Sequence, residues 1–428
     1  EALDRQGIAR PRCVGLIETS EESGSPDLPA YLDALRDRLG DVGLVVCLDS
    51  GAGSYEQLWL TTSLRGTVSG VLKVEVLGEG IHSGDASGVV PSSFRILRQL
   101  LDRLEDARTG TLLPRSFHCE IPALRVEQAR AAAAILRDEV YQRFPWACGA
   151  DGGAVLPTTT DPVQVLLNRT WRPALSITGA DGLPALSDAG NVLRPHTAFK
   201  LSLRLPPRVD GAAAAQQLKA LLEDDAPYNA KVTFHADNAA SGWDAPQLAP
   251  WLERALNDAS HAHFGAPLGT LGQGGTIPLM SLLQAGFPRA QMMVCGVLGP
   301  KSNAHGPNEF LHLRYGTKLT AAGTSGERPS RIVPFSLSAA ARVSSPMRVK
   351  RDAAHSTTPS TITMPASHRP SRGTTRSSAK RTGSRGRIGA TRIDDPPAKR
   401  RSTRVSTMIT KPTPATTFAS AGARRSGR

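Results

Sequence analysis

The stretch RCVGLIETSEESGSPDLPAYLDALRDRLGDVGLVVCLDSG, residues 12–51, decides the fold, because two apolar runs flank one amphipathic segment. Arg12 to Glu18 is short, apolar and rich in β-formers, which predicts a buried strand. Ser25-Pro26 has the residue types of a helix N-cap and first turn. Leu28, Leu32, Leu35 and Leu39 then recur at helical spacing, and Gly40 closes the helix. Gly43 to Gly51 reads as a second apolar strand, ending at Asp49. The result is a β-α-β unit, and in such units ligands collect beyond the carboxyl ends of the strands. Glu18, Glu21, Glu22 and Asp49 all fall on that edge.

Carboxylates this close repel one another unless something positive lies between them. An adjacent pair of glutamates is ordinarily a solvated pair. Here the tight turn SGS follows Glu21-Glu22, Asp49 repeats their placement one strand later, and His305 in SNAHGPNE lies on a loop after another apolar strand. Carboxylate oxygens with an imidazole make a good zinc set. A carboxylate beside the metal can act as general base on a metal-bound water.

Beyond Tyr55 the pattern changes. QLWLTTSLRG and GVLKVEVLGEG are strand-like, and SSFRILRQLLDRLED is an amphipathic helix with a serine cap. RVEQARAAAAILRDEVYQRF is helical, VQVLLN and AFKLSLRL read as strands, DGAAAAQQLKALLEDD as a helix and AKVTFHAD as a strand. This mixture predicts a separate α+β domain inserted into the first. From about Gly242 the α/β pattern returns, with helices at PWLERALNDASHAHFG and TIPLMSLLQAGF and a buried strand at AQMMVCGVLG. The expected fold class is therefore α/β: a catalytic domain at 1–60 and 242–322, interrupted by an α+β lid at 61–241, with a tail from 323 to 428.

Charge separates the tail from the rest. The 428 residues carry a net +13, but Ser325 to Arg428 alone holds 22 basic against 4 acidic residues, so the remainder is close to −5. The folded part gives no reason to expect nucleic acid. The tail, rich in Ser, Thr, Pro and Arg, cannot bury enough apolar surface to offset its ordering entropy and is expected to be disordered. Two origins fit it: an out-of-frame reading of a GC-rich gene, or a basic arm that touches nucleic acid non-specifically through phosphate charge. Phe335 and Phe418 are its only aromatic residues, so base stacking is not expected. The five cysteines are scattered without a CxxC pair, which predicts reduced thiols and a cytoplasmic setting. No apolar run reaches the roughly 18 residues that span a bilayer.

Three further features bear on chemistry. His82 lies in the glycine-rich GEGIHSGDASG, where backbone can approach a ligand closely, although a surface histidine also fits. GQGGTIP, 272–278, is a glycine-rich turn opening a helix and suits an anion held on backbone N–H groups. Arg204 is an unexpected charge in the strand LSLRLPP, and an outward-facing residue is the alternative.

Taken in order, EESGS, VCLDSG, LWLTTSLRG, GIHSGDASGVVPSS, GGTIP and NAHGPNEF resemble the carnosine-dipeptidase/aminoacylase-like metallopeptidases, nearest their non-specific dipeptidase branch, over about Arg12 to Leu319. The resemblance implies an α/β catalytic domain with two zinc ions (manganese or cobalt would also suit the ligands) and a lid that forms a homodimer. It implies Glu21 as general base and Glu22, Asp49 and His305 as metal ligands. His82 would stabilise the oxyanion in the partner's site, with Asn191 assisting in trans. Arg204, Gly274, Gly275 and Thr276 would hold the substrate carboxylate. The implied reaction is hydrolysis of a dipeptide or related amide by a metal-activated water. Gln273 stands where similar sequences often have Glu. The family's upstream His-x-Asp segment and bridging Asp do not occur in these residues. The chain as written is therefore expected to be an N-terminally truncated member that binds metal poorly and is nearly inactive. A non-catalytic dimeric remnant is the alternative. The sheet is also expected to lack its first strands and to leave an apolar edge open.

Overall fold

The computed structural model describes residues 12–324 and 333–334. The Leu44–Cys47 strand is the middle of a three-stranded parallel sheet. Gln291–Val294 pairs with one of its edges, from Leu44↔Gln291 to Cys47↔Val294, and Val333–Pro334 pairs with the other through Val45↔Val333 and Val46↔Pro334. Two expectations change here. Residues 12–18 form no strand and are largely exposed, Ile17 at 79%, because both edges of the strand they would join are taken. The edge expected to stand open is covered by Val333 and Pro334, two residues of the segment read as tail. The rest of that tail lies outside the described residues.

The helix after Glu22 is present but broken, into Leu28–Ala34 and Arg36–Leu39. Its N-cap is Asp27, two residues later than the sequence suggested, and Gly40 closes it as expected. Leu28 and Leu39 pack with Val45, Cys47, Met280 and Val294 into one core.

A second three-stranded sheet joins Trp59–Leu64 in parallel to Gly269–Gln273 and antiparallel to Trp243–Asp244. All six residues of Trp59–Leu64 are buried, as a strand covered on both faces requires. Its core includes Trp59, Leu256 of the Pro250–Phe264 helix and Tyr315 of the Leu313–Thr324 helix. Ala132, Leu136 and Leu166 belong to the same core, so the helices Ala123–Leu136 and Pro162–Thr170 return to this sheet. The segment VQVLLN is thus helix, not strand. Asp161 caps it, Oδ1 accepting from the N–H groups of Val163 (2.8 Å) and Gln164 (3.3 Å), and Pro162 supplies the first turn. The capping geometry outweighs the strand preference of its valines.

Between these segments stands a four-stranded antiparallel sheet, in the order Lys231–Ala240, Gly66–Glu75, His196–Leu205, Ala174–Asp181. Alternation decides its two faces. Val68, Leu72 and Val74, with Leu201, Leu203 and Leu205, face the helices Ser93–Leu101 and Gly211–Glu223 in a core of their own. Ser92 and Asp210 cap those helices, accepting from Arg95 N–H at 3.4 Å and Ala213 N–H at 2.7 Å. The intervening residues turn the other way. Register sets Thr67 opposite Arg204 and Ser69 opposite Ser202, which gives this sheet a polar face. No described helix is long and apolar enough to cross a membrane.

Candidate active site

The polar sheet face, the ends of the parallel strands and the GGTIP turn enclose a cleft of about 890 Å³. Glu21, Asp49 and His305 line it together, as do Arg204 and Thr276. Glu21 sits on the 3-10 turn Glu21–Ser23, closed by Gly24 with φ 84° and a 2.8 Å hydrogen bond from Gly24 N–H to Glu21 O. Asp49 leaves the Leu44–Cys47 strand and bridges to Gly296. That approach requires glycine, since a Cβ on residue 296 would lie 1.8 Å from Ser50 O. Glu21 and Asp49 both act on Cys47: burial, opposed by a backbone hydrogen bond at Asp49 and reinforced by the charges of Asp49 and Glu21, pushes its thiol up to about 11. His305 is exposed, with φ 58°, in a loop where Lys301, Asn303 and Asn308 are also left-handed. Asn303 holds that loop, its Nδ2 donating to Pro307 O at 2.5 Å and its carbonyl accepting from Gly306 N–H at 2.8 Å.

The opening carboxylates divide. Glu18 is tied locally, its Oε1 accepting from Ser20 N–H at 2.9 Å and Ser20 Oγ at 2.6 Å. Glu22 shares the turn with Glu21, and its side chain lies outside the described residues. Zinc held by protein takes about three side-chain ligands even at an open site. Among the described residues no three His, Cys, Asp or Glu side chains gather as a group that could hold a metal ion. The described residues alone do not make a complete metal set, and no chemical step is derived through one.

His82 and Asn191 are neighbours, away from the cleft of their own chain. Ile81–His82 and Val192–Leu193 form a two-stranded ribbon in which His82 faces Val192, and Ser83 N–H donates to Asn191 O at 2.9 Å. The His82 ring is 64% exposed, and its Nδ1 accepts from Gly84 N–H at 3.2 Å.

The GGTIP turn gathers arginines. Arg204, reaching down from the sheet, donates from a guanidinium N–H to Thr276 Oγ1 at 3.1 Å. The strand charge therefore faces the cleft. Arg65 donates its Nε–H to Gly274 O at 3.1 Å. A Cβ on Gly274 would lie 3.1 Å from Arg169 O and 3.2 Å from the Arg65 guanidinium, so the turn passes closely between these two residues. Gln273 donates to Gly51 O at 3.3 Å, a bond that an ionised Glu could not make. Burial and then neighbouring guanidiniums hold Arg65 down to about 10 (Arg204 its neighbour) and Arg169 down to about 9 (Arg143 and Arg65). Sequence reasoning named Arg204 and missed Arg65 and Arg169. Arg65 was quoted inside SLRG, and Arg169 directly follows VQVLLN, the segment read as strand.

Known proteins agree with this architecture. Residues 62–230 match the family described as the peptidase dimerisation domain. That segment is similar to the dimerisation domain of M20 peptidases. It is 26% identical over 300 residues to the cysteinylglycine-S-conjugate dipeptidase of Corynebacterium striatum, covering 69% of this chain and 62% of the relative. It is 26% identical over 324 residues to the human beta-Ala-His dipeptidase, covering 72% and 60%. The chain thus spans about three fifths of the length of the curated relatives it matches. Its fold resembles a Saccharomyces cerevisiae di-peptidase, with a TM-score of 0.58 at 19% identity over 71% of this chain and 63% of the other. It also resembles human carnosine dipeptidase 1, with a TM-score of 0.57 at 22% identity over 71% and 64%.

Proposed function

We propose that this chain belongs to a metal-dependent dipeptidase that hydrolyses dipeptides or related amides in the cleft under the lid sheet. One observation carries the reading: Arg204 on the lid and Thr276 on the catalytic turn are hydrogen-bonded at 3.1 Å on the cleft that Glu21, Asp49 and His305 also line. Arg204 and Thr276, with the open backbone of Gly275 and the neighbouring Gly274, would hold a terminal carboxylate. That contact orients the peptide with its scissile carbonyl toward the strand ends. Glu21 would take the proton of the attacking water and return it to the leaving amine. Glu22, Asp49 and His305 are the chain's candidates for metal, with two zinc ions as the full complement. Zinc, or manganese or cobalt in its place, would supply Lewis-acid chemistry to that water. His82 and Asn191, paired on the exposed ribbon, are proposed to serve the partner's site in a homodimer formed through the lid. A cytoplasmic location belongs to the same reading.

Calorimetric titration of the full chain with Ala-Ala and with its C-terminal amide tests the carboxylate site. The dipeptide is expected to bind, and both the amide and the Arg204→Gln variant to lose about 30-fold, equivalent to about 2 kcal/mol. Equal affinity for dipeptide and amide would reject the carboxylate assignment. Binding with no turnover on added zinc would instead favour the non-catalytic dimer.

A further inference from the structure

Arg204 is accounted for by one carboxylate, yet two more arginines stand at the same turn. The Arg65 guanidinium holds Gly274 O, and the backbone carbonyl and Cγ of Arg169 pack against Gly274, two residues from the Thr276 that Arg204 holds. Arg169 also lines the cleft, and so does the exposed Arg143, whose guanidinium lies 5.2 Å from the Phe144 ring centroid. Among the described residues none of these four guanidiniums makes an ion pair. Arg169 is the most isolated, since its Nε is buried with no hydrogen-bond partner. A buried donor of this kind costs free energy, and crowding by like charges adds to the cost. Elsewhere this protein covers its buried guanidinium: Arg125, 7% exposed, contacts Asp244 at 2.7 Å. Planar guanidiniums left open on a cleft match carboxylates in a bidentate geometry.

Resting on the dipeptidase reading, we propose that Arg169, backed by Arg65, forms a second anion pocket beside Arg204, and that the cleft prefers dipeptides whose C-terminal residue is Asp or Glu. The main-chain carboxylate lies on Arg204 and Thr276. The side-chain carboxylate of the same residue reaches Arg169 across Gly274. Glycine keeps that position narrow: a Cβ there would press against the Arg169 backbone carbonyl at 3.1 Å and the Arg65 guanidinium at 3.2 Å.

Calorimetry on the full chain with Ala-Glu and its neutral isostere Ala-Gln tests this directly. The acidic dipeptide is expected to bind at least about tenfold tighter, a margin typical of one charge-assisted hydrogen bond. Arg169→Gln should reduce that ratio to near one, while Arg169→Lys, which keeps the charge, should retain part of it. Thermal melts of both variants establish that they are folded. Equal binding of Ala-Glu and Ala-Gln by the unaltered chain overturns the second pocket and leaves the dipeptidase reading standing. If neither dipeptide binds, that reading fails, and glutarate against butyrate decides the pocket alone. Glutarate binding abolished by Arg169→Gln supports the pocket, and its absence in the unaltered chain overturns it.

Discussion

Two arginine clusters in this molecule have opposite electrostatics. At the junction of the Ala123–Leu136 helix with the Trp243–Asp244 strand, Asp244 receives Arg125 Nε at 2.9 Å and Arg208 Nε at 2.8 Å, and Arg125 also donates to Gln128 Oε1 at 2.9 Å. There the charges are neutralised within the fold. Around the GGTIP turn, Arg65, Arg169 and Arg204 have a carbonyl and a hydroxyl as partners and, among the described residues, no carboxylate at ion-pair distance. The first arrangement holds two elements together. The second leaves binding capacity facing a cleft, which is what a site for anions requires.

The contrast can be broken by stability measurements. The largest effect is expected at Asp244, which is 15% exposed. Asp244→Ala strands the Arg125 guanidinium and should cost about 3 kcal/mol in chemical denaturation. A loss below about 1 kcal/mol would mean that water, rather than Asp244, satisfies Arg125. At the turn the sign should reverse. Arg169→Met removes a buried charge that has no carboxylate, so unfolding free energy should stay level or rise by about 1 kcal/mol. A loss comparable to that of Asp244→Ala would reveal an internal partner for Arg169 and remove the contrast.

The smallest effect is on the lid surface. Glu75 lies 2.9 Å from both Lys73 and Lys231, and those hydrogen bonds hold its carboxyl down to about 2. A depressed carboxyl contributes stability that is present above its ordinary value near 4.3 and is lost as pH falls toward 2. Glu75→Gln should therefore cost about 0.5 kcal/mol at pH 7, and the penalty should fade between pH 4.5 and pH 2. A pH-independent penalty would show that packing, and not charge, is responsible.

Much of the fold was legible because it is written in periodicity. The strand-like runs GVLKVEVLGEG and AFKLSLRL located two lid strands, and an amphipathic pattern with a serine cap located the first lid helix. Where the reading failed, a partner decided the outcome. Arg12–Glu18 is apolar enough for a strand, but Val333 and Pro334 occupy the edge it would have used. VQVLLN is valine-rich, but Asp161 and Pro162 start a helix that packs beside Trp59.

Within the site the division is the same. Carboxylates at strand ends and a loop imidazole were enough to nominate Glu21, Asp49 and His305, and Arg204 stood out as a charge within LSLRLPP, whereas Thr276 was nominated by the family resemblance of GGTIP. The side chain of Glu22 and most of the tail lie outside the described residues. The sequence by itself determined the α+β character of the lid, the serine cap of its first helix and the residue types at the cleft. Only the tertiary structure decided that Arg65 and Arg169, 104 residues apart, flank Gly274 together and that neither has a carboxylate at ion-pair distance among the described residues. Electrostatic pairing depends on distance through space, and sequence spacing carries no information about that distance once the chain has folded.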